Sequence, residues 1–147
     1  MQPRRDANAL WYRGQELAAE GRKEDAMKAF AAAAQADEAV GKTLKAFARW
    51  EAMVKIYGAD GYLLERCARC AERLDLGANA YVYWAASAAA YHRQGLAREA
   101  AAARVHALIL REEGHAPSQG SAWTAPPIPM QILVKHRHEE LVRDLLW

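Results

Sequence analysis

A chain of 147 residues that is 52% hydrophobic and 26% charged is able to bury one core, and the length favours one domain over two. Its net charge of +2 is spread thinly and leaves no electrostatic footprint for nucleic acid or anionic lipid. No apolar run follows the two arginines of Met1 to Asp6, and no stretch approaches the roughly 18 apolar residues of a membrane span, so a cytoplasmic location is expected.

Helical periodicity dominates from Ala7 to about Glu113 and is broken only at glycines. It predicts six helices, over 7–20, 23–38, 42–57, 61–76, 79–94 and 97–113. Gly21, Gly41, Gly77, Gly95 and Gly114 fall where C-terminal caps or interhelix turns are expected. Gly58 and Gly61 bracket another turn, with Asp60 placed to cap the fourth helix. Residues 114–129, with Gly114, Pro117, Ser118, Gly120, Ser121, Pro126, Pro127 and Pro129, read as a connector. After it, Leu133, Val134, Leu141, Val142 and Leu145 form an apolar stripe interrupted by Lys135, His136, Arg137 and His138, which predicts a C-terminal helix over 130–147. Ile132 to Val134 also suits an extended start to that segment.

The chain repeats itself at an offset of 34: Trp50 recurs as Trp84, Tyr57 as Tyr91 and Gly61 as Gly95. Ala46 and Ala80, Ala52 and Ala86, Glu65 and Glu99, and Ala68 and Ala102 share that register. An earlier unit, anchored at Leu10, shows the same internal spacings through Gly14, Leu17, Gly21, Ala26, Phe30 and Ala33, but lies 40 residues before Trp50. About six extra residues are therefore expected near Ala39 to Leu44. In the third unit Arg104 departs from the aromatic position, whereas Ala101, Val105 and Leu108 have the spacing of Ala26, Phe30 and Ala33 and align with Cys67, Ala71 and Leu74.

This period and this alternation of bulky, small and turn residues resemble the tetratricopeptide repeat family over residues 7–113. The resemblance implies an all-α solenoid of three helix pairs, plus a C-terminal helix capping the last one. It also implies a concave surface lined by the first helix of each pair, facing which would be Asn8, Trp11, Gln15 and Ala18, then Ala48, Glu51 and Lys55, then Val82, Ala85, Ala89, His92 and Arg93. Small side chains in the third unit leave room for an apolar anchor, and Trp11 is expected to wall the groove. One subfamily clamps acidic tails of heat-shock chaperones with basic and amide side chains. This sequence departs from it, with only Lys55 and Arg93 cationic in the groove.

Cys67 and Cys70 form a C-x-x-C in the middle of a helical pattern, with neither the strand-to-helix setting of a thioredoxin site nor further metal ligands nearby, so two small buried thiols are expected. Among the histidines only His136 and His138 lie close in sequence, and a separation of two points them to different helix faces. Arg66, Arg69 and Arg73 share one helix face flanked by Glu65 and Glu72, which reads as a solvated face rather than an RNA site. No nucleophile stands beside a base, so neither an enzyme nor a bound cofactor or metal is expected. The resemblance instead implies an interaction module or adaptor for a peptide or protein partner. Two other readings are a self-assembling scaffold, in which the C-terminal helix docks on another chain, and a chaperone for exported proteins, since bacterial secretion chaperones with three such repeats are of about this size.

Overall fold

The computed structural model describes residues 6–116. They form α1 (Ala7–Ala19), α2 (Lys23–Ala39), α3 (Thr43–Tyr57), α4 (Gly61–Arg73), α5 (Gly77–Arg93) and α6 (Ala97–Glu112), with no strand among the described residues. Each helix packs chiefly on its neighbours in the chain, giving an all-α array of sequential helix pairs. Most of the connector and the helix expected over 130–147 lie outside the described residues.

The helix ends follow from local chemistry. Asp6 and Asp60 start α1 and α4 in extended backbone and accept hydrogen bonds from the amides of Asn8 and Leu63, each at 3.1 Å. α1, α2, α4, α5 and α6 close with one pattern, seen where Arg22 N donates to Leu17 O at 2.9 Å and Gly21 N to Ala18 O at 3.0 Å. The pattern needs a left-handed residue, supplied by glycine at 21, 41, 95 and 114. After α4 the left-handed residue is instead Asp75, at φ 61°. Gly77, expected as a turn residue, is the first residue of α5, where a Cβ would lie 2.2 Å from His115 Nδ1.

Only Val40, Gly41 and Lys42 separate α2 from α3. The surplus of the first unit, expected in that junction, lies within the helices instead: α2 runs 17 residues against 13 in α4, and α1 continues to Ala19 after Leu10 whereas α3 continues only to Tyr57 after Trp50.

The repeat residues carry the core. Trp50 and Trp84 are fully shut off from solvent, and Ala26, Ala33, Ala46, Ala52, Ala80 and Ala86 let the helices approach around them. Glycine sets two further close approaches: a Cβ on Gly14 would meet the Phe30 ring at 2.5 Å, and one on Gly61 the Tyr91 ring at 2.4 Å. In α6 the buried residues are Ala100, Ala103, Ala107 and Leu110. The register drawn from Ala101, Val105 and Leu108 is therefore not the core register there, because those three are exposed, although Cys67 and Ala71, their counterparts in α4, are fully buried.

Candidate binding groove

The face assigned to the groove consists of side chains from α1, α3 and α5, and the structure divides them into three sets by burial. Trp11, Ala48, Glu51 and Val82 are buried, while Asn8, Ala18, Lys55, His92 and Arg93 are exposed and Gln15, Ala85 and Ala89 are half-buried. Trp11 is thus not an open aromatic wall: its ring lies 4.4 Å from that of Phe30, with the Arg49 guanidinium 5.3 Å above it. Val82 belongs to the core cluster.

Two polar links tie these helices together. Arg49, fully buried on α3, donates from Nε to Asp37 of α2 and from Nη2 to Asn8 of α1, both at 2.6 Å. Helical periodicity offers no signal for this ion pair, since neither residue stands out among the chain's many charges. Glu51 of α3 accepts a hydrogen bond from the Tyr83 hydroxyl of α5 at 3.0 Å. Burial pushes the Glu51 carboxyl up to about 7, partly offset by that bond, and burial together with Glu51 raises the Tyr83 phenol.

Ala85 and Ala89 open onto a cleft of about 230 Å³ completed by Tyr81, Ala88, Arg104, Ala107 and Leu108. It is mostly apolar, with one cation at its edge. Lys55, His92 and Arg93 form no ion pair among the described residues. The structure therefore offers small-residue apolar space between α5 and α6, leaves Lys55, His92 and Arg93 exposed, and uses Glu51 in the packing.

The stripe on α4 differs from the solvated face expected. Arg66 and Arg73 both donate to Glu38, at 2.7 and 2.9 Å, and Arg69 pairs with Glu65 at 3.1 Å. Arg66 also lies over the Trp50 ring and Arg69 over the Trp84 ring, so the stripe fastens helices to one another.

Cys67 and Cys70 are both free and fully buried. Burial raises the Cys67 thiol well above its ordinary range and the Cys70 thiol to about 12, so neither is poised as a thiolate nucleophile. His106, unmarked by any sequence motif, stacks on Trp84 with ring centroids 4.0 Å apart. Among the described residues no cluster of three metal-ligating side chains occurs, and no helix is long and apolar enough to cross a membrane. Set against family models, curated proteins and solved structures, the chain matches none of them.

Proposed function

We propose that the chain is a tetratricopeptide-type interaction module that takes a peptide, or a segment of a partner protein, on the inner faces of α1, α3 and α5. The observation that carries this reading is the apolar cleft that Ala85 and Ala89 of α5 form with Ala107 and Leu108 of α6, with Lys55, His92 and Arg93 exposed and in no ion pair among the described residues. A bulky apolar side chain fits such a cleft, and an acidic residue beside it would meet the cationic groups. Burial of Cys67 and Cys70, which raises both thiols, favours binding over thiol chemistry.

The test is a selection from a random peptide library against the full chain, followed by anisotropy titration of a selected peptide. Ala89→Trp, which fills the cleft, should weaken binding at least about tenfold, and Lys55→Glu should weaken it when the peptide carries an acid. Peptides that bind both variants as tightly as the wild type, or a selection that yields no binder, would remove the reading.

A further inference from the structure

Glu38 and Glu72 hold the same place in successive units, each accepting a tryptophan indole N–H, but their charges are met differently. Glu38 receives two guanidinium groups from α4, Arg66 at 2.7 Å and Arg73 at 2.9 Å, which leave its side chain 7% exposed. In the next unit α6 stands where α4 stood. α4 begins at Gly61 and α6 at Ala97, so Ala102 and Ile109 take the places of Arg66 and Arg73. Glu72 is exposed and in no ion pair among the described residues.

Beside Glu72 lies a cavity of about 310 Å³. Two more carboxylates line it, Asp75 from the turn after α4 and Glu113 from the end of α6, and neither is in an ion pair among the described residues. Its α6 wall carries Ile109 and His106, the latter stacked on Trp84. Carboxylates gathered without a counter-charge repel one another, and a cation relieves that. Acidity alone would draw any cation; the preceding unit points to one kind, because there the equivalent carboxylate holds guanidinium groups. The side chains do not converge as a metal's ligands would, since no group of three able to hold an ion occurs among the described residues. We propose that this cavity takes an arginine side chain of a partner protein, its guanidinium at Glu72 and its aliphatic stem along Ile109 and Leu110. The planar fork of arginine serves several carboxylates at once, which the point charge of lysine does less well. The inference does not depend on the groove reading, because neither α1 nor α3 lines the cavity.

Three capped peptides titrated into the full chain and followed by amide chemical shifts test it: Gly-Ser-Arg-Ser-Gly, and the same sequence with lysine or citrulline in place of arginine. The arginine peptide should shift Glu72, His106 and Glu113 saturably. The neutral citrulline peptide, of nearly the same shape, should bind at least about tenfold more weakly, and the lysine peptide at least about threefold. Glu72→Gln with Glu113→Gln, both exposed, should weaken the arginine peptide at least about tenfold, whereas Glu99→Gln, an exposed acid of α6 outside the cavity, should leave it unchanged. Ile109→Arg puts an arginine in the place of Arg73 and should close the site to the peptide. No saturable shifts in the wild type, equal binding of the citrulline or lysine peptide, binding that survives the double variant or Ile109→Arg, or binding lost equally in Glu99→Gln would each overturn the proposal.

Discussion

Trp50 donates its indole N–H to Glu38 at 2.8 Å, and 34 residues on, Trp84 makes the same bond to Glu72. In both units the donor and acceptor are twelve residues apart, on the first helix of one pair and the second helix of the pair before it. Each buried indole therefore finds a partner for its N–H while its rings fill the space between units. Trp84→Ala should cost about 3 to 5 kcal/mol, through lost burial and the cavity left behind. Urea denaturation measures it, and an unchanged midpoint would contradict the repeat register.

Glu51 gives the fold a pH dependence whose sign follows from burial. Its carboxyl stands at about 7 in the folded chain against an ordinary value of 4.5. Between those values the native state holds a proton that the unfolded state has released, so stability falls as pH rises through the window and the loss is complete above 7. At about 1.4 kcal/mol per pH unit this is on the order of 3 kcal/mol. Glu51→Gln removes the contribution, so the variant should gain on the wild type between pH 5 and pH 8. Denaturation curves at the two values decide it, and a wild type that gains on the variant as pH rises would contradict the assignment.

The helices and the repeat were legible because each rests on local chemistry: apolar periodicity, left-handed glycines at helix ends, and indoles recurring at one spacing. Lys55, His92 and Arg93 are exposed. Trp11 and Glu51 were not legible as buried residues, because what covers them comes from elsewhere in the chain. Phe30 and Arg49 pack against Trp11, and the Tyr83 hydroxyl meets Glu51 from 32 residues away. Sequence spacing registers which face a residue is on, but not what a neighbouring helix lays over it. Asp75 shows the same limit locally, since it adopts the left-handed turn conformation that glycine takes after α1, α2, α5 and α6.

Gly61 is required for space rather than for its backbone angle. A Cβ there would lie 2.4 Å from the Tyr91 ring, so Gly61→Ala should cost about 1 to 3 kcal/mol. Combining it with Tyr91→Ala should cost less than the sum of the two single changes, as a double-mutant cycle will show. Simple additivity would mean that the two residues do not touch.

The thiols of Cys67 and Cys70 should resist a thiol-specific reagent at pH 8 in the native protein, with two thiols per chain reacting once it is unfolded. Replacing both by Ala should cost about 1 to 3 kcal/mol and leave peptide binding unchanged. Stoichiometric zinc in the purified protein, lost in the double variant, would contradict this assignment.

A peptide docked on α1, α3 and α5 should change the amide chemical shifts of Lys55, Ala85, Ala89 and Arg93 saturably as it is titrated into the full chain, with Arg66, Arg69 and Arg73 of α4 unmoved. Changes confined to α2, α4 or the outer face of α6 would contradict docking there.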